Sequence, residues 1–187
     1  MSIEITESVS NDLEVIRKFC IDRNLKIAVA ESASAGGIQL LLSNMNEAGL
    51  FFNGGITTYT CEMKQHLLHI PLETCIESNG VTQEITDHMA QNICILYKSD
   101  IGISLTGYAS AIPEQQIFDK FSLVSICLDG KLILSERLTS DKTLQWEVQM
   151  DFAFQAIMLA QGVFPRVSGA AGQIPFDRNA DLIPVDR

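Results

Sequence analysis

The sequence predicts a single α/β domain, a three-layer α/β/α sandwich with a mixed sheet. Short apolar segments that suit buried strands alternate with segments of helical period in the N-terminal part of the chain. Two further strand-like segments flank Asp129-Gly130, a dipeptide typical of hairpin turns. Helical crossovers produce parallel strands and a hairpin produces antiparallel ones, so we expect a mixed sheet with helices on both faces.

Apolar periodicity places the elements of the N-terminal half. Asn11 followed by Glu14 resembles a capping box and predicts the start of a first helix. The apolar face of that helix consists of Leu13, Ile16, Phe19 and Cys20. The next segments are a buried strand, a turn of small residues, a helix, a second strand and a helix that ends before a proline: residues 25–30, 31–37, 38–42, 56–60 and 62–69.

The C-terminal half begins with a long helix for which Thr82 is the predicted N-cap. Its apolar stripe consists of Ile85, Met89, Ile93 and Leu96. A third strand, two hairpin strands and a last helix follow: residues 101–105, 121–128, 131–138 and about 142–161. Ser140 or Asp141 is the predicted cap of the last helix, and Gly162 and Pro165 are predicted to end it. We expect one domain over residues 1–165 and an irregular tail over 166–187.

Charge and hydropathy limit the classes of partner. The 187 residues include 13 Lys and Arg against 23 Asp and Glu, a formal net charge of −10. Nucleic acids and anionic membranes need a basic surface, so neither is an expected partner. No apolar run reaches the roughly 20 residues of a membrane span, and the acidic start is unlike a signal peptide. We therefore expect a soluble, cytoplasmic protein.

The cysteine and histidine pattern gives no clear metal site. The five cysteines are scattered without a C-x-x-C pair, so we expect reduced thiols. His66 and His69 stand three residues apart and could share one helix face as metal ligands. No third ligand lies nearby in the sequence, which favours an ordinary surface helix and no bound metal.

Three of the predicted strands end in polar or glycine-rich residues: 31–37, 59–64 and 106–110. Ligands of such sheets bind at the carboxyl ends of the strands. A serine in a tight turn between strand and helix is exposed, and nearby N–H groups can hold an oxyanion. Ser32 is therefore a candidate nucleophile, although serine also occupies turns for geometric reasons alone.

Several motifs together resemble a known family. They are AVAESASAGG around Ser32, the pair Gly54-Gly55, then Tyr59 and Lys64, and SLTGYAS around Thr106. In this order and spacing they resemble the CinA carboxy-terminal family, whose active members are nicotinamide mononucleotide deamidases. The similarity runs without gaps from about residue 26 to 106 and less clearly to 161. It implies the family's fold and hydrolysis of a nucleotide substrate to nicotinate mononucleotide and ammonia, without a metal or other cofactor.

The resemblance implies a role for each matching residue. Ser32 is the nucleophile, Lys64 is the base that activates it, and Tyr59 and Thr106 are hydrogen-bonding partners. A lysine acts as a base only when neutral, and at a pKa of ~10.4 about one in 2,500 is neutral at pH 7. A neutral fraction of roughly a tenth needs a pKa lower by about 2.4. From the residues alone, the alternatives are a solvated lysine, strand-end packing for the tyrosine and a turn hydroxyl for the threonine.

The resemblance also implies a set of substrate-binding residues. They are Glu31, Ser34, Ala35, Gly36, Gly37, Gly55, Gly107 and Lys142. The N–H groups around residues 35–37 would form the oxyanion hole. We expect the apolar hairpin and the long helices to support a homo-oligomer.

This chain departs from the family pattern in three places. Residues 33–35 are Ala-Ser-Ala where the family has Cys-Thr-Gly, and residues 108–111 change the third loop. Lys142 and Trp146 stand where the family has two arginines. Loss of one charge-assisted bond to a phosphate removes ~1.5–3 kcal/mol. Two alternatives stay open: an impaired relative that serves as a nucleotide-binding or scaffold module, and a hydrolase of another small amide.

Overall fold

A computed structural model describes residues 6–167 of the chain, which form one layered domain. The strands are β1 (Ile27–Glu31), β2 (Phe52–Thr57), β3 (Ile101–Tyr108), β4 (Phe121–Leu128) and β5 (Lys131–Thr139). The helices are α1 (Glu7–Arg23), α2 (Gly37–Ser43), α3 (Cys61–Leu68), α4 (Leu72–Glu77), α5 (Gln83–Tyr97) and α6 (Gln145–Val167). The predicted tail over 166–187 falls mostly outside the described residues, and its first two residues belong to α6.

The sheet is mixed, as predicted, with the strand order β2-β1-β3-β4-β5. Strand β1 runs parallel to β2 and β3, whereas β3, β4 and β5 are successively antiparallel. Glu31 pairs with Thr57 on one side and with Leu105 on the other. The carboxyl ends of the three parallel strands are therefore level, and the loops that follow them meet at one edge of the sheet.

Helices cover both faces of the sheet and give the predicted three layers. Ile27 and Val29 of β1 face a core that includes buried residues of α1, α2 and α6. Ala28 and Ala30 face the opposite way, toward buried residues of α3, α4 and α5. All five residues of β1 are buried, because side chains alternate between two covered faces.

Several predicted starts and turns agree with the structure. Thr82 caps α5, and its Oγ1 accepts a hydrogen bond from the Ile85 N–H at 3.1 Å. Asp129 and Gly130 form the hairpin turn with φ of 47° and 76°, the positive values that such tight turns require. The first helix, by contrast, begins before the predicted capping box, at the N-cap Thr6. Glu14 instead bonds Arg17, three residues on, at 2.8 Å.

The last helix starts later and ends later than the sequence predicts. It begins at Gln145 and continues through Gly162 and Pro165. Phe164 is buried and stacks on Phe19 of α1, with ring centroids 5.1 Å apart. This packing holds the final turn in place despite two residues that disfavour helix.

One strand boundary and one residue of a predicted apolar stripe also differ from the prediction. Strand β2 begins at Phe52, earlier than predicted, and includes Gly54 and Gly55. A side chain at position 55 would press within 2.6 Å of the Val29 carbonyl oxygen, so glycine suits the close pairing there. Leu96 was predicted in the apolar stripe of α5, but it is 42% exposed.

The prediction of five reduced thiols is wrong for two of the cysteines. Cys61 and Cys75 form a disulfide, with their Cα atoms 5.5 Å apart. Helices α3 and α4 pack together and bring the pair into reach, which a separation of 14 residues in the sequence does not reveal. Cys20, Cys94 and Cys127 are free and buried. Over residues 6–167, no helix combines the length and the apolar character needed to cross a bilayer.

Candidate active site

The turn after β1 is built around the carboxylate of Glu31. This side chain is fully buried and accepts hydrogen bonds from the Ser34 hydroxyl and from three backbone N–H groups. Those N–H groups belong to Gly36 at 3.1 Å, Ile38 at 3.1 Å and Gln39 at 2.9 Å. The carboxylate therefore fixes residues 32–36 to the first turn of α2.

The same turn contains two left-handed residues. Ala35 has a φ of 53° and Gly36 a φ of 102°. A non-glycine residue in this region costs roughly 1–2 kcal/mol, so the alanine stores strain where the family pattern has a glycine. The Glu31 hydrogen bonds offset this strain.

Ser32 and Lys64 meet at the level ends of the parallel strands. The Ser32 N–H donates to the Leu105 carbonyl of β3 at 2.8 Å, which places the serine between two strands. Lys64 projects from α3, and its Nζ donates to Ser32 Oγ at 3.3 Å and to the Thr58 carbonyl oxygen at 2.9 Å. The structure thus brings together the two residues that the sequence separates by 32 positions.

The Lys64 amine is shielded from water. The residue is 2% exposed, and burial, which disfavours the charged form, lowers the pKa of Lys64 to about 8. At this pKa roughly a tenth of the lysine is neutral at pH 7. That fraction equals the one that base catalysis was expected to need.

Local structure explains why Lys64 points inward. The Thr60 side chain caps α3 by accepting from the Met63 N–H at 3.3 Å, and Lys64 and Leu68, four residues apart on one face, are the buried residues of this helix. Gly80 packs against its aliphatic part with a φ of 68°. A methyl group at position 80 would lie 3.4 Å from Lys64 Cε and 2.9 Å from Cys75 Sγ.

Thr106 also lies beside the same lysine and, with Gly80 and Cys75, forms what we call the lysine wall. It is 1% exposed, and its hydroxyl donates to the Gly80 carbonyl oxygen at 3.0 Å. Gly107 follows where β3 and β4 run very close, and a side chain there would overlap the Phe121 carbonyl. The third loop is therefore tied both to the lysine wall and to the hairpin.

A first cavity of about 160 Å³ lies over the serine and the lysine. The candidate residues that line it are Ser32, Tyr59, Lys64, Thr106 and Gly107. Tyr59 is 64% exposed and stands at the rim. Helix α6 closes the cavity with two glutamines, Gln145 and Gln149.

A second cavity of about 240 Å³ adjoins the first. Four candidate residues line it: Ser34, Ala35, Gly36 and Gly37. The opposite wall comes from α6 and includes Trp146, Gln149 and Met150. Since Gln149 lines both cavities, the two are neighbours across its side chain.

Three of the expected substrate-binding residues lie elsewhere: Glu31, which is fully buried in the turn, Gly55 and Lys142. Gly55 is in β2, closely packed against Val29 and Gln39. Lys142 lies in the loop before α6, with its Nζ 3.7 Å from Asp141. None of the three lines either of the two cavities described above.

The expected oxyanion donors are already engaged. The Ala35 N–H bonds the Ser32 carbonyl at 3.2 Å, and the Gly37 N–H bonds the Ser34 carbonyl at 3.0 Å. The Gly36 N–H bonds Glu31. Among residues 6–167, the N–H groups of Ala33 and Ser34 have no such acceptor. The expectation of an oxyanion hole at 35–37 is therefore corrected, because those donors build the turn.

Sequence reasoning missed Thr58, Gly80 and Gln149. The dipeptide Asn79-Gly80 is a turn signal that could have indicated a sharp bend beside the site. Gln145 and Gln149 are four residues apart, a spacing that puts both on one helix face. No sequence signal identifies Thr58, because its bond to Lys64 Nζ is made by the backbone carbonyl oxygen and depends on the course of the backbone.

The histidine pair does not form part of a metal cluster. His66 lies in the last turn of α3 and His69 is its C-cap. Over the residues that the structure describes, no group of three or more His, Cys, Asp or Glu side chains could hold a metal ion.

Comparisons with known proteins agree with the fold and the motifs. Residues 10–160 match the CinA C-terminal domain family. A CinA-like protein of Prochlorococcus marinus strain NATL2A is 31% identical over 133 residues, which is 70% of this chain and 31% of that protein. A Bacillus velezensis protein with "competence-damage inducible protein" in its name is 32% identical over 116 residues, which is 62% of this chain and 28% of that protein. The matched stretch thus spans less than a third of these relatives.

Solved structures show the same architecture. A CinA superfamily protein from Enterobacter cloacae superposes with a TM-score of 0.78 at 18% identity, over 88% of this chain and 96% of that one. One from Escherichia coli gives 0.74 at 17% identity, over 87% and 94%. At these identities the likeness establishes the fold alone. With the family match over residues 10–160, it follows that the chain belongs to the CinA C-terminal domain family.

Proposed function

We propose that this domain is an amidohydrolase with Ser32 as nucleophile and Lys64 as general base. The observation that carries the proposal is the 3.3 Å distance between Lys64 Nζ and Ser32 Oγ in a buried setting. A serine hydroxyl becomes a useful nucleophile when a neighbouring base takes its proton. A lysine whose pKa is lowered to about 8 supplies that base near neutral pH.

The reaction has two stages. The neutral Lys64 amine takes the Ser32 proton as Oγ attacks the amide carbon. The C–N bond of the adduct then breaks, and the lysine returns the proton to the nitrogen, which leaves as ammonia. A water molecule, deprotonated by the same amine, then attacks the acyl carbon. The ester bond to Ser32 Oγ breaks, the lysine returns the proton to Oγ, and the carboxylic acid is released. One water is consumed for each amide.

The N–H groups of Ala33 and Ser34 are the proposed oxyanion donors. They follow the nucleophile directly and are not taken up by the turn in residues 6–167. A donor of this kind is worth about 10²–10³ in kcat. Thr106 then has a supporting role, since its hydroxyl donates to Gly80, whereas Tyr59 at the rim is free to contact substrate.

The resemblance supports nicotinamide mononucleotide as the first substrate to test, with its ring carboxamide as the group that is hydrolysed. Its deamidation yields nicotinate mononucleotide and ammonia, and needs no metal or other cofactor in this mechanism. The assay is ammonia release by wild type and by Ser32→Ala. Release by wild type alone supports the proposal. No release by either folded protein, with this or other nicotinamide derivatives, removes it.

An impaired relative that binds a nucleotide or acts as a scaffold is the second candidate. Trp146 in place of a family arginine, with a net charge of −10, favours it. Thermal-shift measurements with nucleotides, followed by recovery of the ligand, distinguish the two. A ligand that stabilises the protein and is recovered unchanged supports the module, and steady product formation excludes it.

Self-association and a cytoplasmic location remain proposals from the sequence. Leu132 in the edge strand β5 is 40% exposed, which is compatible with a contact between copies. Light scattering at several concentrations measures the oligomeric state.

A further inference from the structure

The second cavity gives the site a wall that the proposed chemistry does not use. One side is the turn at 34–37, and the other is α6 with Trp146 and Met150. Gln149 separates this space from the cavity over Ser32 and Lys64. A substrate held with its amide at the serine would have the second cavity beside it, on the other side of Gln149.

The lining of this cavity is uncharged and mainly apolar. Besides Ser34, Gln149 and the glycines, it consists of Ala35, Leu40, Trp146 and Met150. Across both cavities of the described chain, the one cationic lining residue is Lys64. Lys64 does not line the second cavity, and its buried amine already donates to Ser32 Oγ and to the Thr58 carbonyl oxygen, so it is not placed to hold an anion there.

The backbone of the turn does not supply an anion site either. The Gly36, Ile38 and Gln39 N–H groups, which could otherwise hold a phosphate, donate to the Glu31 carboxylate. A second anion beside this carboxylate would meet its negative charge, and the two N–H groups of the turn without an acceptor among residues 6–167, those of Ala33 and Ser34, are the proposed oxyanion donors. Phosphate binding is therefore disfavoured on both sides of the cavity.

We propose that the second cavity is a specificity subsite for an uncharged aromatic or apolar group of the substrate, distal to the amide, which packs on Trp146. The proposal rests on the amidohydrolase function and changes only the group that the substrate carries away from its amide. At about 240 Å³ the cavity exceeds the ~150 Å³ that accommodates benzene in an apolar protein interior. An aromatic ring stacked on the indole is the best match for this wall.

Binding to the Ser32→Ala protein tests the subsite separately from turnover. Three ligands share the nicotinamide carboxamide: nicotinamide mononucleotide, nicotinamide riboside and 1-benzylnicotinamide. Because Trp146 is the single tryptophan in the sequence, its fluorescence reports occupancy directly. We expect the benzyl and riboside ligands to change the fluorescence and to bind at least tenfold more tightly than the mononucleotide.

Two variants and a control sharpen the test. Trp146→Arg adds a cation and should improve mononucleotide binding by roughly tenfold or more, measured by calorimetry. Trp146→Phe keeps an aromatic face and should retain benzyl binding within a fewfold. Met158→Ala changes an exposed α6 residue away from both cavities and should leave all three affinities unchanged.

The outcomes separate the two proposals. A mononucleotide that binds tenfold more tightly than the riboside overturns the subsite proposal, as does absence of a fluorescence change with 1-benzylnicotinamide at millimolar concentration. Binding in the expected order without ammonia release by wild type would support the subsite and remove the hydrolase.

Discussion

Lys64 Nζ donates to the Thr58 carbonyl oxygen at 2.9 Å, and this bond holds the amine against Ser32. Thr58 in turn is fixed by its own N–H, which donates to the Glu31 carbonyl at 2.8 Å. The nucleophile and the base are therefore linked by hydrogen bonds, through Thr58, to the backbone of Glu31, whose side chain holds the turn. Substitutions of these residues should affect stability and activity in different ways.

Lys64→Met should inactivate the protein and stabilise it. Burial depresses the folded pKa to about 8 from 10.5, so the unfolded chain binds the proton more tightly. The charged amine consequently costs stability at pH 7, and methionine should raise the free energy of unfolding by about 1–3 kcal/mol. The advantage should shrink as the pH rises from 8 to 10.5, where only the unfolded chain is still protonated.

Urea unfolding at pH 7 and pH 10 measures this difference. Lys142→Met is the matched control, since that lysine is half exposed and should show no change at either pH. A Lys64→Met protein that is less stable than wild type at pH 7 contradicts the proposed cost of burial.

The rate should depend on pH through Lys64. If the neutral amine is the base, kcat/KM should rise about tenfold per pH unit below pH 8 and level off above it. The measurement is ammonia release between pH 6 and 9.5. A rate that is flat over this range would mean that another group activates the serine.

Glu31→Gln should weaken the turn. The carboxylate accepts three N–H bonds and one hydroxyl bond, and an amide presents a donor to some of these groups. We expect a loss of about 2–4 kcal/mol in the free energy of unfolding, together with a lower kcat. Glu84→Gln at an exposed position is the control. Equal stability of the two variants would refute the role assigned to Glu31.

The disulfide should stabilise the lysine wall. Its loop of about 15 residues corresponds to roughly 3 kcal/mol in the chain-entropy description. Reduction, or Cys61→Ser with Cys75→Ser, should lower the thermal midpoint, and reductant should have no further effect on the double variant. Thiol titration of the unfolded, unreduced protein should find three free thiols of five, and five would disprove the bond.

The layered fold was predictable because it depends on local patterns. Alternating burial in β1, the Thr82 cap and the Asp129-Gly130 turn are each expressed within a few residues. The end of α6 was not predictable, because the contact between Phe164 and Phe19 joins residues that lie far apart in the sequence. Local helix breakers predicted an earlier stop that this packing overrides.

The residue types of the site were predictable, but the burial and the pKa of Lys64 and the hydrogen bonds of the turn were not. Motifs and the resemblance selected Ser32 and Lys64, and the structure brings them together. The lowered pKa depends on burial by Gly80 and its neighbours, which no motif reports. Glu31 and the residues 35–37 were expected to contact substrate, yet the Glu31 carboxylate and the backbone N–H groups of 35–37 are engaged in building the turn.

The central claim is that Ser32 forms an acyl intermediate after Lys64 takes its proton. Its most direct test is mass spectrometry of wild type quenched during turnover of a nicotinamide derivative that it deamidates. We expect an acyl adduct on the peptide that contains Ser32 and no such adduct in Lys64→Met. Ammonia release by Ser32→Ala at the wild-type rate would contradict it.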